Sequence, residues 1–283
     1  MFKKYFSFTI IALLVIFLCY QNNKHNDLQT LDSFYDRSDF YDNAYNLGKK
    51  DVPNAFNHVY AGIIPHHLIV ADKIAGYFLG LERYKYDKVI LISPNHFNAG
   101  WGDIIVTNYN WKTPYGILYS DQDLALKIRK IFPYNVAANS VQGEHGISNE
   151  TSYIVRSFPE ATFLGIMIRD GTNKEDLDLL VKEIFNNSDH EKVIILASVD
   201  FSHNSSIEIA DQRDKKSNQI IQSFDLDKFN EISADCPSAL YVVAKYSQMV
   251  GAHPEFIWST NSGRIVGVDS DTTTSHNFYY FSK

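Results

Sequence analysis

The chain has 283 residues, of which 45% are hydrophobic and 14% aromatic, so it is long and apolar enough to bury one large globular core and is not a disordered protein. Its 26 basic and 33 acidic residues give a formal net charge of −7, and the basic residues are scattered, which argues against a nucleic-acid partner. Cysteine occurs only at Cys19 and Cys236, and Cys19 stands inside an apolar N-terminal run, so no disulfide framework is expected within the domain.

The first 20 residues have the pattern of an export or anchor segment. Lys3 and Lys4 precede an apolar run from Phe6 to Cys19, and no small residues follow to mark a cleavage site. We therefore predict a membrane anchor at residues 1–20, with the rest of the chain outside the cytoplasm because the lysines favour the inner side. A cleaved signal peptide, which would give a secreted protein, and a lipid on Cys19 are the alternatives.

The remaining chain divides into a polar segment and a regular one. Residues 21–58 are polar without clear periodicity, which predicts a linker. The pattern of residues 59–283 predicts strands at 61–64, 88–93, 162–168, 192–199, 256–260 and 277–281, a β-rich stretch at 103–119, and helices at 69–83, 121–132, 149–157, 174–186, 207–224 and 238–250. This alternation predicts one layered α/β domain, with a mostly parallel central sheet flanked by helices.

Three of the predicted strands end just before a histidine. These histidines are His66, His96 and His203. Because ligands of open α/β sheets bind beyond the carboxyl ends of the strands, we expect the three imidazoles to converge there. Asp200, three residues before His203, could orient that imidazole for acid–base chemistry.

An anionic ligand is available at the start of a later helix. Cys236 precedes that helix, where free amides and the helix dipole stabilise a thiolate; a buried structural cysteine is the alternative. Two imidazoles and one anionic ligand on separate elements form a half-open metal site. Zinc is chemically sound for two histidines and a thiolate, and copper is conceivable.

The ordered motifs of the chain resemble those of a known family. The motifs are Gly62–His67, Ile92–His96, Gly143–Ile147, Ser198–His203 and Asp235–Pro237. Together they resemble the motif series of the Memo-like proteins, which in prokaryotes are named AmmeMemoRadiSam system protein B, and the resemblance covers about residues 59–283. It implies a fold similar to the class III extradiol dioxygenases of the LigB type, whose non-haem Fe(II) site uses two histidines, a glutamate and a further catalytic histidine.

The resemblance also implies roles for individual residues. His66 and His96 match the two histidine ligands, and Cys236 matches the cysteine that replaces the glutamate in Memo-like proteins. His203 matches the catalytic histidine and Asp200 the aspartate before it. The family's glutamate-histidine motif falls on Glu144 and His145, which are expected beside the ligands or at the substrate. Their positions in the sequence, next to His66 and His96, place His67 and Asn95 in the same surroundings, and His67 could equally be structural. The implied cofactor is one divalent metal ion, with Fe(II) first and Zn or Cu as alternatives.

Three functions are compatible with these residues. The first is a metal-dependent, dioxygenase-like redox enzyme acting on an unknown small molecule or peptide. The second is a non-catalytic module that binds a peptide or small ligand in the same pocket, and the third is a zinc hydrolase in which metal-bound water attacks the substrate. Aromatic side chains are expected to line the mouth in each case, namely Trp101, Trp111, Tyr115 and Tyr119. Where Memo-like proteins commonly carry a second glutamate, this chain has Ser148, with Glu150 close by.

Overall fold

The computed structural model describes residues 28–283. The predicted membrane anchor at residues 1–20 lies outside this range. Within residues 28–283, no helix combines the length and the apolar character needed to cross a membrane.

The described residues alternate between helices and strands. The strands are β1 (Thr30–Asp32), β2 (Val59–Ile64), β3 (Lys88–Pro94), β4 (Ile104–Thr107), β5 (Asn110–Thr113), β6 (Gly116–Leu118), β7 (Thr162–Ile168), β8 (Val193–Ser198), β9 (His253–Asn261) and β10 (Ser275–Ser282). The α-helices are α1 (Ser38–Gly48), α2 (Ala71–Leu81), α3 (Gln122–Ile131), α4 (Ala138–Gln142), α5 (His145–Ser148), α6 (Thr151–Ser157), α7 (Lys174–Asn186), α8 (Ile207–Ser223), α9 (Pro237–Val250) and α10 (Ser262–Val266). Short 3-10 turns occupy Lys49–Asp51, Leu68–Val70 and Leu226–Glu231.

Seven strands form the central sheet, in the order β4-β7-β3-β8-β2-β10-β9. The inner strands β7, β3, β8 and β2 are parallel, whereas β4 at one edge and β10 and β9 at the other are antiparallel. Buried apolar residues fill the parallel strands on both faces, as expected for strands covered by helices. The predicted α/β domain with a central sheet flanked by helices is confirmed, and the carboxyl ends of β3, β8 and β2 lie side by side.

Element bounds agree best where local signals are strongest. Strand β7 and helix α7 coincide with the predicted 162–168 and 174–186. Helix α7 begins where the Asn173 side chain accepts a 2.9 Å hydrogen bond from the amide of Asp176, which satisfies a free donor of the first turn. Strand β9 is longer than predicted because it pairs with β10 over most of its length.

The predicted linker at 21–58 is wrong for its described part. Strand β1 pairs with β5, and helix α1 buries Tyr41, Ala44 and Tyr45. Tyrosine makes this helix look polar in sequence, yet its ring packs like an apolar side chain while the hydroxyl finds a partner. The Tyr45 hydroxyl, for example, lies 2.9 Å from the Ser157 hydroxyl. The domain therefore includes residues from Thr30 onward and does not begin at residue 59.

Helix α1 is held tightly against α2. A Cβ atom on Gly48 would stand 2.4 Å from the carbonyl oxygen of Asp72, and one on Gly76 would stand 2.8 Å from the carbonyl oxygen of Gly48. The two helices cross this closely because neither glycine carries a side chain. This contact fixes the N-terminal segment on the domain.

Candidate metal centre

The parallel strands bring two predicted ligands together. Pro65 leads from β2 into His66, and β3 ends at Pro94, two residues before His96. The ring centroids of His66 and His96 are 5.0 Å apart. His66 is fixed by its neighbours, since its Nδ1 lies 3.3 Å from the hydroxyl of Ser198 at the end of β8.

His145 is the third imidazole at this place. It begins α5, and its ring stacks on that of His96 with centroids 4.0 Å apart. One ring nitrogen from each of His66, His96 and His145 lies within 4.8 Å of the other two. Three imidazole nitrogens in this arrangement could hold a transition-metal ion.

Two carboxylates also lie close to His66. Its Nε2 is 3.5 Å from Oδ2 of Asp200 and 3.4 Å from Oδ2 of Asp235, and these atoms form a second group within 4.8 Å. The same Asp235 oxygen is 3.5 Å from Nε2 of His96. The site therefore offers nitrogen and carboxylate donors together.

Glu144 holds His96 in place. Its Oε1 lies 2.6 Å from Nδ1 of His96, and its Oε2 accepts a 2.9 Å hydrogen bond from the His96 amide. It also caps α5 by accepting from the amide of Gly146 at 3.0 Å. A Cβ atom at residue 146 would stand 2.2 Å from the Ser93 hydroxyl, so glycine is needed for α5 to approach β3. These contacts leave Nε2 of His96 facing Asp235.

The histidines differ in charge. Burial opposes protonation of His96, but its contacts with Asp235 and Glu144 outweigh burial and raise its pKa to about 9. Burial, together with the charges of His66 and His96, lowers the pKa of His145 to about 4. At neutral pH and without a metal, His96 therefore carries a proton whereas His145 is a neutral base.

Burial raises the pKa of the acidic side chains at the site, but their contacts with the histidines lower it by more. Although burial favours the neutral acid, His96 holds the pKa of Glu144 below its usual range. The same balance, with His66 and His276 as partners, lowers the pKa of Asp200. Both groups are carboxylates at neutral pH.

Cys236 does not join the converging donors. It precedes α9, is 1% exposed, and its sulfur belongs to neither of the two groups found among residues 28–283. Burial and the neighbouring Asp235 raise the pKa of its thiol well above the ordinary value. The expected arrangement of His66, His96 and Cys236 is therefore not formed, and Asp235 faces both histidines instead.

Asp200 has a different partner from the one expected. Its Oδ1 lies 3.0 Å from Nδ1 of His276, and its Oδ2 faces His66, so the carboxylate is not directed at His203. His203 lies half-buried in the wall of the same cleft. The sequence did not reveal His276 because it enters on the antiparallel strand β10; its one signal in the sequence is a histidine two residues before the aromatic run Phe278–Phe281.

His67 and Asn95 mainly shape the backbone. Nδ1 of His67 accepts a 3.2 Å hydrogen bond from the amide of Ile69, which caps the following turn, and burial lowers the pKa of this histidine. The Asn95 side chain accepts from the Ala99 amide at 2.9 Å and donates to the Ala99 carbonyl at 3.0 Å. His67 lines the cleft, while Asn95 closes the loop after β3.

Glu150 does not take the place of the missing second glutamate at the donor groups. It is fully buried, and neither carboxyl oxygen has a hydrogen-bond partner in the described structure. Burial and the charge of Asp200 raise its pKa far above the usual range. Glu150 is therefore a neutral acid inside the domain.

The residues that carry the donor atoms, His66, His96, His145 and Asp200, line a cleft of about 680 Å³. Its rim carries Phe34, Tyr35 and Phe97, which are 51%, 39% and 63% exposed. The expected aromatic lining is wrong, because the described lining does not include Trp101, Trp111, Tyr115 or Tyr119. Trp111 is buried in the core. Sequence reasoning missed Phe34 and Tyr35 because they fell in the predicted linker.

Comparison with known proteins agrees with this architecture. A family model described as Memo-like protein matches residues 19–257. A MEMO1 family protein of Caldivirga maquilingensis is 25% identical over 194 residues, which is 65% of this chain and 68% of that protein. Those of Aquifex aeolicus and Nitrosopumilus maritimus are each 26% identical, over 50% and 62% of this chain and over 38% and 64% of their own lengths. These names state a family and not a reaction.

Proposed function

Because the chain belongs to the Memo-like family and gathers imidazoles and carboxylates at one end of its sheet, we propose that it is a metal-dependent, dioxygenase-like redox enzyme. The observation that carries this proposal is the convergence of His66, His96 and His145 beside Asp200 and Asp235. Two histidines with a carboxylate, and positions left open, are the donor set of non-haem Fe(II) oxygenases. Fe(II) is accordingly the proposed ion.

When bound, the ion would supply a redox-active Lewis acid with open positions for oxygen and substrate. The residues of this chain have separate tasks around it. Glu144 keeps His96 oriented through two hydrogen bonds. His203, in the cleft wall, is the proposed acid–base group for substrate protons.

The cleft also indicates what kind of substrate enters. Three aromatic side chains form its rim, and its described lining contains no lysine or arginine. Such a cleft suits a ligand with an apolar body and little negative charge, because its described lining has no lysine or arginine to pair with several anionic groups. The proposed substrate is therefore a small molecule or a peptide side chain with an apolar body and little negative charge.

A zinc hydrolase is the second candidate function. The observation that favours it is the group of three imidazoles, His66, His96 and His145, which is a donor set of catalytic zinc with one position left for water. These three histidines would hold the zinc ion, which would supply a water-derived nucleophile for hydrolysis.

The decisive experiment compares metal content and oxygen chemistry in the full-length chain, purified without oxygen. We expect about one iron per chain in the wild type, and none in the triple variant His66→Ala, His96→Ala, His145→Ala. His253→Ala, at an exposed histidine on β9, is the matched control and should keep its iron. Equal metal content in wild type and triple variant would remove the proposal. Bound zinc without oxygen consumption would contradict the redox proposal and favour the zinc hydrolase.

A further inference from the structure

The most exposed apolar side chains of the domain are concentrated at one end. Among residues 28–283, five large hydrophobic side chains are more than half exposed, and these are Phe34, Phe97, Trp101, Val266 and Val268. We call this set the apolar mouth. Exposed apolar residues that are scattered singly are normal in soluble proteins, whereas a group at one place indicates a surface that binds another apolar body.

The sheet topology places these five residues around the opening of the cleft. Phe97 and Trp101 follow the carboxyl end of β3, and Phe34 lines the cleft itself. Strand β9 runs parallel to β2, since both strands pair antiparallel with β10. The loop from β9 to β10, which carries Val266 and Val268, therefore lies at the same end of the sheet, and it also lines the cleft. The apolar mouth thus stands on three separate loops around one opening.

The opposite end of the sheet has a different surface. The connection into β3 exposes Arg83, Lys85 and Asp87, and the connection into β8 exposes Asp189 and Glu191. The described domain therefore has a charged end and an apolar end, and the cleft opens at the apolar end. Large apolar side chains held in water cost free energy, so the apolar mouth is expected to have a partner.

The course of the chain favours a lipid bilayer as that partner. Strand β1 begins at Thr30, four residues before Phe34, so the chain enters the domain within ~14 Å of the apolar mouth. Residues 21–29 separate Thr30 from the predicted anchor at residues 1–20, and they span at most ~35 Å. A tether of this length, attached beside the mouth, would bring the apolar end and not the charged end to the membrane. Trp101 also suits this surface, because tryptophan is enriched where membranes meet water.

The charges on the same loops argue against attraction to anionic lipid headgroups. Arg37 is paired with Asp39 at 2.6 Å, and Arg264 is paired with Asp211. Asp269, on the loop from β9 to β10, is exposed and adds a negative charge. Attraction to anionic lipids requires lysine or arginine side chains near the surface. The contact is therefore expected to be apolar and to form on zwitterionic lipid.

From these observations we infer that the apolar mouth rests on the surface of a lipid bilayer, so that the cleft opens toward the membrane. The five side chains then leave water and enter the boundary between headgroups and acyl chains, about 5–10 Å deep. This contact goes beyond the proposed function and does not depend on it. Under the proposed function, an apolar substrate dissolved in the membrane would pass from the bilayer into the cleft.

Lipid quenching of a fluorescent label on the full-length chain tests this contact. In a Cys19→Ser background the remaining native thiol, Cys236, is buried, so Trp101→Cys or Val266→Cys supplies the reactive thiol for a nitrobenzoxadiazole label. The labelled chain is reconstituted in phosphatidylcholine vesicles that contain a lipid with a nitroxide at carbon 5 of its acyl chain. We expect about a twofold loss of emission at both positions, because side chains of the apolar mouth reach that depth. Leu126→Cys, at an exposed leucine on the flanking helix α3, is the matched control and should lose less than about 10% of its emission.

Three results would overturn the inference. The first is no quenching in Trp101→Cys and Val266→Cys, or a chain that does not sediment with the vesicles. The second is a blue-shifted label that lipid does not quench and whose shift grows with protein concentration, which would assign the surface to a second copy of the chain. The third is quenching that requires phosphatidylserine in the vesicles, which would show an electrostatic contact.

The iron content of the same samples reports on the proposed function separately. Iron without lipid quenching would refute the bilayer contact and leave the metal-dependent function in place. Lipid quenching without iron would support the contact and refute that function. Wild-type iron content in the labelled proteins would also show that Trp101→Cys and Val266→Cys are folded.

Discussion

The proton on His96 should make the stability of the metal-free protein depend on pH. Burial lowers the pKa of this imidazole, but Asp235 and Glu144 raise it from the ordinary 6.5 to about 9. The pKa of His96 in the folded chain is thus about 2.5 above its value in the unfolded chain, and this difference is equivalent to ~3 kcal/mol of unfolding free energy. Because the folded pKa lies above the unfolded one, this stabilisation is fully present below pH 6.5 and is lost as the pH rises through 9.

Glu144→Gln is the perturbation that separates this effect from other titrations. The substitution keeps the shape of the side chain but removes the charge, and one of its two acceptor atoms becomes a donor. Glu144 accepts from the His96 amide and the Gly146 amide and contacts the His96 ring. We expect the part of the unfolding free energy that depends on the His96 proton to fall to ~1–2 kcal/mol, which is the share due to Asp235. We also expect the total unfolding free energy at pH 6.5 to fall by ~2 kcal/mol, because hydrogen bonds of Glu144 are lost.

Urea unfolding in the presence of a chelator, at pH 6.5 and pH 9, measures both quantities. Glu160→Gln, at an exposed carboxylate, is the matched control and should follow the wild type. In the same proteins, metal affinity should increase about tenfold for each unit by which the pH is raised toward 9, because the ion must displace the His96 proton. If wild type and Glu144→Gln lost the same unfolding free energy between the two pH values, the assigned proton would not be on His96.

Three further predictions concern other parts of the chain. His203→Ala should leave metal content unchanged and reduce oxygen consumption about 10²- to 10⁴-fold; equal rates would exclude His203 as the acid–base group. His276→Phe should weaken metal binding about 10- to 100-fold by releasing Asp200, whereas His276→Gln should retain most of the affinity; identical losses would indicate a packing effect only. Deletion of residues 1–20 should leave the unfolding free energy within about 0.5 kcal/mol, because residues 28–283 contain the described core, and aggregation of the truncated protein would contradict this.

The fold was predictable wherever the apolar pattern was local. Strand β7 and helix α7 are bounded by clear signals, and they were predicted at their observed positions. Helix α1 was missed because its buried face consists largely of tyrosines, Tyr41 and Tyr45. Tyrosine occurs at both buried and exposed positions, so a run of tyrosines does not mark the buried face of a helix. Only the packing against α2 and α6 reveals this helix.

Only the site residues that follow the parallel strands were predictable from the sequence. His66 and His96 directly follow β2 and β3, and the geometry of a parallel sheet implies that they meet. His145 and His276 reach the site from a short helix and from an antiparallel strand, and nothing in their local sequence fixes that direction. Asp235, and not the neighbouring Cys236 that the sequence pointed to, faces both histidines, and nothing in the local sequence distinguishes the two neighbours.

Charge balance favours a divalent ion in this site. The carboxylates of Asp200, Asp235 and Glu144 surround His66 and His96, and in the metal-free protein the proton on His96 offsets one of these charges at neutral pH. A monovalent ion that displaced this proton would leave the buried charge as it was. A divalent ion removes one further negative charge, which stabilises a site with little access to water. Cu(I) also prefers thiolate and thioether ligands, whereas the converging donors are nitrogen and oxygen atoms, so we expect Fe(II) or Zn(II) to outcompete Cu(I) in direct binding assays.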